Sequence, residues 1–278
     1  MRIALCQRIP IHNSVQDNVG TILTDVRDNE ADIFVYPELF LTGYFFDPTI
    51  VRDDVEKALE SLRSISEEMD VVIVTGAPEF TDCGIHNCAF AFVSGRTYTY
   101  RKIHLPNFPP FDEKERFIPG SEPIVFEHKG FICGLSICYD IFFPELMKHH
   151  ALKMNADINI CISASPVTSR VAFERVLPAR AVENTTYVAF VNNIGPMGGM
   201  EFFGGSRLLA PNGDGILTLD EPGTGVITMD KNTLEKAREM KGLSHREASV
   251  LLQDIQVLHP LKLYRIFLFL LYALYILP

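Results

Sequence analysis

Cys138 stands where chemistry would be expected, at a corner between a predicted strand and a predicted helix. The apolar run 131–137 predicts a buried strand that ends at this cysteine, and a helix start is predicted at Pro144. Such a corner fixes the direction of a side chain and offers it free backbone N–H groups, which favour a thiolate. A cysteine at the end of an apolar run is more often a small core residue, however. Other residues must therefore support the assignment.

Two charged residues supply what a thiol lacks at neutral pH. Glu38 follows the apolar strand 31–36, and Lys102 leaves a hairpin predicted over 87–94 and 97–101. Ligands of α/β sheets bind at the carboxyl ends of strands. Because a free cysteine is only slightly ionised at neutral pH, attack by its sulfur requires a base and a positive neighbour. A glutamate and a lysine at strand ends therefore make Cys138 a candidate nucleophile.

Composition limits the class of protein. The 278 residues are 47% hydrophobic, which is enough to bury a substantial core as one large domain or two small ones. A formal charge of −10 argues against a nucleic-acid partner, since such binding requires clustered Lys and Arg. The six cysteines mostly lie in apolar segments and no secretory signal precedes them, so we expect a reducing, cytoplasmic location.

A metal site is not expected. Cys83 and Cys88 flank His86, but their spacing is not that of a zinc ribbon and no second pair lies at a matching distance. Asp82 and Gly84 around Cys83 instead favour a hairpin turn. We predict no metal and no cofactor.

Strands and helices alternate along most of the chain. Two β-α-β stretches are predicted, one on each side of the central region, together with extra hairpins. An amphipathic helix is predicted over 53–69, and a glycine-rich loop follows Asn193 and extends to Gly205. A mixed sheet with helices on its outer faces is the natural packing for this pattern.

Three motifs resemble those of the nitrilase superfamily, the carbon–nitrogen hydrolases, which carry a Glu-Lys-Cys triad. They occur in the family's order: Tyr36-Pro37-Glu38; Arg101-Lys102-Ile103-His104-Leu105 continued by Phe111-Asp112-Glu113; and Cys138-Tyr139-Asp140 with Phe143-Pro144-Glu145. The resemblance covers residues 1 to about 240. It implies a four-layer α-β-β-α sandwich with mixed sheets, a single domain over 1–240, and a homodimer or larger assembly.

The resemblance also assigns roles to residues. Cys138 would be the nucleophile, Glu38 the general base and then acid, and Lys102 the cation that stabilises thiolate and oxyanion. Glu113 matches the family's additional glutamate, which helps to position the substrate or the lysine. The backbone N–H of Tyr139 directly follows the nucleophile and is the expected second oxyanion donor.

Two further groups are candidates for contact with the substrate. Tyr44 belongs to an aromatic loop near Glu38, which would suit a compact, partly apolar acyl group. Ser163 and Ser165 end the strand that follows the helix after Cys138, although a strand-end turn would explain them equally well.

Structural interpretations compete with these roles. Glu38 could cap a turn, Lys102 could be a solvated charge, and Glu113 could belong to an exposed charge run. His104 raises the alternative of a Cys-His hydrolase, which we disfavour because the sequence signals no Asn or Asp partner. Asp140 is expected to hold the corner by hydrogen bonds.

The predicted reaction is hydrolysis of a small non-peptide amide, as in an omega-amidase or an aliphatic amidase. Nitrilases commonly follow the cysteine with Trp-Glu, whereas Tyr139-Asp140 follows here and the chain has no Trp. Phe142 stands where many amidase relatives carry Arg. The alternatives are a nitrilase, a glutamine-hydrolysing module of a synthetase, and a catalytically silent scaffold.

The segment 241–278 is predicted to be a C-terminal extension with an apolar tail over 266–278. The tail is short for a membrane span, which needs roughly 17 or more apolar residues. Packing at an oligomer interface or against the body is the first interpretation, and peripheral contact with a membrane is the alternative.

Overall fold

The computed structural model describes residues 1–240, which form two six-stranded mixed sheets with helices outside them. The strands are β1 (Arg2–Gln7), β2 (Ile33–Val35), β3 (Val72–Thr81), β4 (Gly84–Val93), β5 (Arg96–Arg101), β6 (Val125–His128), β7 (Phe131–Ile137), β8 (Ile158–Ser163), β9 (Tyr187–Asn192), β10 (Ile194–Met197), β11 (Met200–Phe203), β12 (Arg207–Leu209), β13 (Gly215–Thr218) and β14 (Gly223–Thr228). The helices are α1 (Val15–Asp28), α2 (Pro48–Glu68), α3 (Glu113–Arg116), α4 (Pro144–Lys153), α5 (Arg170–Asn184) and α6 (Lys231–Met240).

Both large sheets have the same plan. The first has the order β14-β1-β2-β3-β4-β5 and the second has the order β13-β12-β9-β8-β7-β6. In each, three neighbouring strands are parallel, β1-β2-β3 and β7-β8-β9, and the flanking strands are antiparallel to them. Each half is therefore built from two successive β-α-β units, with crossover helices α1 and α2 in one and α4 and α5 in the other, as the alternation in the sequence predicts.

The period-two alternation of strand side chains separates two cores. Ile3 and Leu5 of β1 belong to a cluster that also holds Leu135 and Ile160 of the second sheet. The intervening Ala4 packs with Val19 of α1 and other helix residues in a second cluster. One face of the first sheet therefore meets the second sheet and the other face meets α1 and α2, which confirms the predicted α-β-β-α layering.

Local differences from the sequence-based expectations have simple causes. The helix predicted over 53–69 begins at Pro48, because Asp47 accepts a hydrogen bond from the Thr49 N–H and Pro48 suits a first helical position. The predicted glycine-rich loop contains the hairpin of β10 and β11, which pair around Gly198-Gly199.

No helix within residues 1–240 has the length and apolar character needed to cross a membrane. The predicted apolar tail over 266–278 lies outside the described residues. Its packing and the predicted homo-oligomer stay predictions.

Candidate active site

Glu38 lies in a tight loop after β2 and is completely buried. The loop runs against Gly76 of β3, where an added Cβ would lie 2.2 Å from the Leu39 nitrogen and 2.6 Å from the Pro37 oxygen. Only glycine permits this approach. Leu39 adopts a φ of 50°, in the left-handed region, which costs conformational free energy for a residue other than glycine. The surrounding contacts must therefore hold the turn that presents Glu38.

Three donors satisfy the Glu38 carboxylate. Its Oε1 accepts from Lys102 Nζ at 2.7 Å and from Asn87 Nδ2 at 2.7 Å. Its Oε2 accepts from the Ala164 backbone N–H at 2.7 Å. Hydrogen bonds from a cation and from two N–H donors favour the charged form of a carboxylate. Glu38 is therefore ready to accept a proton rather than to serve as a simple turn cap.

Lys102 leaves β5 at the same edge of the sheet, because β5 and β3 are both antiparallel to β4 and so run in the same direction. Its backbone is held at both ends: its N–H donates to the Asn87 carbonyl and its carbonyl accepts from the Gly120 N–H, each at 2.8 Å. The Lys102 side chain is completely buried. The interpretation as a solvated charge after a hairpin is wrong.

Glu113 begins the short helix α3 and is also buried. Its Oε1 accepts from Lys102 Nζ at 2.8 Å and from Tyr44 OH at 2.7 Å, whereas its Oε2 has no hydrogen-bond partner. The guanidinium of Arg116 lies 5.2 Å from the centre of the Tyr44 ring and donates to the Tyr44 carbonyl. Glu113 is thus buried, although Asp112, Lys114 and Glu115 beside it are exposed. We call Glu38, Lys102 and Glu113 the ionic cluster.

Burial and the neighbouring charges oppose one another in the ionic cluster, and the outcome differs between its members. Burial opposes the ammonium of Lys102, but Glu113, Glu38 and Cys138 outweigh it and hold the pKa of Lys102 well above its usual range. Burial raises the pKa of Glu113 to about 7, with Lys102 opposing and Glu38 reinforcing the shift. Lys102 is therefore a permanent cation, and Glu113 titrates near neutral pH.

Cys138 follows β7 directly and heads a short 3-10 helix, Cys138–Phe142. Its φ of 46° lies in the left-handed region, which costs a non-glycine residue on the order of 1–3 kcal/mol and is frequent at functional sites. Its Sγ lies 3.3 Å from Ser165 Oγ, and only 6% of the residue is exposed. The turn holds the sulfur in one direction, as the predicted corner requires.

The thiol of Cys138 is neutral at rest. Burial raises its pKa to about 12, the Glu38 carboxylate reinforces the shift, and Lys102 with the Ser163 and Ser165 hydroxyls opposes it. The expectation that the corner itself would favour a thiolate is wrong. The helix that follows begins six residues later, at Pro144, and the buried Glu38 charge disfavours a second anion.

Asp140 joins the cysteine turn to the lysine loop. Its Oδ2 accepts from the Ile137 N–H at 3.0 Å and from Tyr100 OH at 2.8 Å, and its Oδ1 accepts from the His104 N–H at 2.9 Å. This confirms that Asp140 holds the corner. His104 Nδ1 also lies 2.8 Å from Asp140 Oδ1, so an acidic partner exists that the sequence did not signal.

His104 nevertheless does not form a Cys-His pair. Its ring stacks on Phe143 with centroids 3.6 Å apart, and no hydrogen bond among residues 1–240 links it to Cys138. The groups that act electrostatically on the Cys138 thiol are Glu38 and Lys102.

A cavity of about 270 Å³ opens beside Cys138, and we call it the aromatic cavity. It is lined by Pro106, Phe108, Phe111, Cys138, Tyr139, Phe142, Ser165, Thr168, Ser169, Ala172 and Phe173. Five of the lining side chains are aromatic, and the polar ones are hydroxyls and the thiol. The cavity is large enough for a small molecule and brings it against the sulfur.

The residues predicted to contact a substrate take different places. Tyr139 lines the aromatic cavity. Tyr44 is buried behind Glu113, and Ser163 is buried behind Ser165, to whose hydroxyl its own hydroxyl lies at 2.7 Å. Of the serine pair, Ser165 is the one that reaches the cavity.

Sequence reasoning missed two buried asparagines. Asn87 of β4 donates to Glu38, and its carbonyl accepts from the Lys102 N–H. Asn192 at the end of β9 accepts from the Ser165 N–H at 2.8 Å and donates to the Ser165 carbonyl at 3.1 Å. The β4–β5 register pairs Cys88 with Arg101, so a register drawn from the hairpin would have placed Asn87 beside Lys102.

Across residues 1–240 no group of three or more His, Cys, Asp or Glu side chains is arranged to hold a metal ion. Cys83, in the segment considered for zinc, is an exposed free thiol in the turn between β3 and β4, as the hairpin interpretation predicts.

Known proteins resemble this chain over almost all of its described length. The model of the carbon-nitrogen hydrolase family matches residues 2–239. The glutamine-dependent NAD(+) synthetase of Aquifex aeolicus is 28% identical over 246 residues, which are 84% of this chain but 43% of that protein. The chain thus spans less than half the length of that relative.

A solved structure agrees in fold. The amidase from Nesterenkonia sp. AN1, as a cysteine-to-alanine mutant in complex with butyramide, superposes with a TM-score of 0.75 at 29% identity, covering 87% of this chain and 95% of its own. Another structure of that amidase carries acrylamide added at the active-site cysteine. With the family model matching from the first strand to the last described helix, this chain belongs to the carbon-nitrogen hydrolase family.

Proposed function

We propose that the protein hydrolyses a small non-peptide amide through a thioester on Cys138. The observation that carries the proposal is the Lys102 ammonium, held between the carboxylates of Glu38 and Glu113 and acting on the buried Cys138 thiol. A neutral thiol next to an ionised carboxylate and a fixed cation has both groups that nucleophilic attack requires.

Acylation begins when Cys138 Sγ attacks the amide carbon and its proton passes to Glu38. The negative charge that develops on the amide oxygen is stabilised by Lys102 and by the Tyr139 backbone N–H, which lies in the first turn of the 3-10 helix, where amides lack intrahelical partners. Glu38 then returns the proton to nitrogen, the C–N bond breaks, and ammonia or an amine leaves.

In deacylation Glu38 carries a proton from water to the sulfur. Glu38 takes a proton from water, the hydroxide attacks the thioester carbon, and the C–S bond breaks to release the acid. The Cys138 thiolate recovers a proton from Glu38. Glu38 acts first as base and then as acid in both acylation and deacylation, so its carboxylate must stay in place throughout. The hydrogen bonds from the Ala164 N–H and from Asn87 hold it there.

Glu113 has a separate role in this scheme. Its Oε2 is buried and has no partner, whereas its Oε1 is occupied by Lys102 and Tyr44. An ionised carboxylate with a free oxygen beside the site can accept an N–H from the amide group and so orient its carbon toward the sulfur.

Hydrolysis of glutamine is the second candidate function, and the similarity to glutamine-dependent NAD(+) synthetases favours it. In that case the chain would supply ammonia to a synthetase activity and would release little ammonia alone. A free amidase needs no such partner.

The test is ammonia release across a panel of small aliphatic amides, ureido acids, glutamine and nitriles. Mass spectrometry of the quenched reaction should find the acyl group on Cys138. Cys138→Ala should lower turnover by at least about a thousandfold, as removal of a nucleophile does elsewhere. Cys83→Ala, at an exposed cysteine in the turn between β3 and β4, is the matched control and should keep full activity. Turnover retained in Cys138→Ala would contradict the mechanism.

A further inference from the structure

We propose that the aromatic cavity selects amides whose acyl group is apolar and uncharged, and that Phe142 is the residue that sets this selection. The inference rests on the proposed amide hydrolysis and narrows its substrate class. It separates amides of simple apolar acids from omega-amides, ureido acids and glutamine, all of which carry a charge on the acyl side.

Phe142 lies at the end of the cysteine turn, four residues after the nucleophile. Its ring is half-buried, lines the cavity, and packs edge-to-face on Phe173 with centroids 5.0 Å apart. It also meets the Tyr139 ring at 5.8 Å. Phe142 is therefore fixed by neighbours on two sides and forms an apolar wall next to Cys138.

The other aromatic lining residues are also packed against one another. Phe108 packs edge-to-face on Tyr139 at 5.5 Å and on Phe111 at 5.7 Å. The polar lining groups are the hydroxyls of Ser165, Thr168 and Ser169 and the phenol of Tyr139, which can hydrogen-bond a neutral amide but carry no charge.

Within the described part of the chain, residues 1–240, the other Lys or Arg that is buried, Arg180, is directed elsewhere. Arg180 of α5 donates from Nε to the Ile141 carbonyl at 2.7 Å and from Nη2 to the Phe142 carbonyl at 3.2 Å, and its Nη1 pairs with Glu183 at 2.9 Å. These hydrogen bonds hold the backbone of the turn that carries Cys138. Among residues 1–240 the cavity lining contains no Lys, Arg, His, Asp or Glu.

Lys102 does not offer a second anion site. Its ammonium is already shared by Glu38 and Glu113, and the proposed reaction assigns its remaining capacity to the amide oxygen. A carboxylate or ammonium on the acyl group would therefore enter an aromatic space with no countercharge. Burial of an unpaired charge is strongly unfavourable, whereas a methyl or phenyl group gains from the same contacts.

The first experiment uses the full-length wild-type protein and three amides of equal chain length. Pentanamide ends in a methyl group, glutaric acid monoamide ends in a carboxylate, and 5-aminopentanamide ends in an ammonium. We expect kcat/KM for pentanamide to exceed that of each charged analogue by at least ~100-fold. Equal or better turnover of either charged analogue would overturn the inference.

A matched pair of variants tests the role of Phe142. Phe142→Arg should raise the ratio of kcat/KM for glutaric acid monoamide over pentanamide by at least ~10-fold, because it places a cation on the wall. Phe142→Leu keeps the wall apolar and should leave the order of the three amides unchanged. An unchanged ratio in folded Phe142→Arg would remove Phe142 as the determinant.

A binding measurement separates this inference from the proposed reaction. Alkylation of Cys138 by iodoacetamide, followed by mass spectrometry, should be slowed by pentanamide and not by its charged analogues at equal concentration. If pentanamide protects Cys138 but no amide is hydrolysed, the proposed function fails and the selection stands. If all three amides protect equally, the selection fails whatever the protein hydrolyses.

Discussion

The ionic cluster and the aromatic cavity both adjoin the Cys138 thiol but differ in what holds them together. In the cluster every oxygen except Glu113 Oε2 has a charged or amide donor, and burial makes each charge depend on its partners. In the cavity the walls are aromatic rings in edge-to-face contact, and no charge lines the space within residues 1–240.

This difference separates reaction from selection. The cluster residues are fixed by hydrogen bonds and would perform proton transfer on any amide placed at Cys138. Apart from Cys138 and the Tyr139 backbone N–H, the cavity residues contact what lies beyond the amide carbon and do not act on the reacting atoms. Changes in the cluster should therefore lower kcat for all substrates, whereas changes in the cavity should act on some substrates and spare others.

Lys102→Ala is the strongest way to break the cluster. It leaves Glu38 and Glu113 buried without their cation, so we expect loss of about 3–5 kcal/mol in the free energy of unfolding and at least about a thousandfold in kcat/KM for every amide. Urea unfolding and ammonia release would measure the two effects. Lys57→Ala, at an exposed lysine on α2, should change neither. Selective loss with one amide alone would contradict the separation.

Glu113→Gln should have a smaller, pH-dependent effect. The pKa of Glu113 is raised to about 7, so we expect activity to increase as pH rises through about 7 and Glu113 ionises to accept the amide N–H. Glu113→Gln should remove this rise from the pH profile of kcat/KM and lower the value of kcat/KM above pH 7 by about 10- to 100-fold.

The same titration predicts an opposite trend in stability. Because the folded pKa lies above the usual glutamate value of 4.5, the stability contribution of Glu113 is present below about 4.5 and is lost as pH rises toward about 7. The free energy of unfolding should fall over that window by up to about 3 kcal/mol, and Glu113→Gln should flatten the fall. Activity and stability that rise together with pH would contradict this assignment.

Ala172→Phe should act only on the cavity and have the smallest effect. Ala172 is an exposed residue of α5 that lines the cavity, so a larger side chain narrows the space. We expect KM to rise about tenfold for pentanamide or larger amides, with little change for acetamide or for alkylation of Cys138 by iodoacetamide. Ala179→Phe, at an exposed position of α5 outside the cavity, is the control.

Much of the fold and of the site follows from local patterns in the chain. Apolar runs that end at Glu38 and Cys138, and a hairpin that ends at Lys102, predict strand ends, and the structure has strands ending there. Glu38 and Lys102 could be grouped because they follow strands that run in the same direction in one sheet, whose carboxyl ends share an edge. Cys138 follows β7 of the second sheet, so only the packing of the two sheets brings it to them. The corner role of Asp140 followed from its short side chain, which bonds nearby backbone groups.

Other features depend on contacts between distant segments. The donation of Asn87 to Glu38 joins residues 49 positions apart. Glu113 is buried inside a charge run that is otherwise mostly exposed, and Tyr44 and Lys102 from other segments bond to its carboxylate. The neutral state of the Cys138 thiol also could not be predicted from its corner, since burial and the Glu38 charge together raise its pKa.

By itself the sequence determined which groups can react: a thiol, a carboxylate and an amine at strand ends, in an order typical of carbon-nitrogen hydrolases. Only the tertiary structure decided their charges and their surroundings. Residue types fix which protons exist, but desolvation and the sign of neighbouring charges fix where those protons rest. Likewise the sequence shows only that Phe142 is apolar. The structure shows that it lines the cavity, where Phe173 and Tyr139 pack against it.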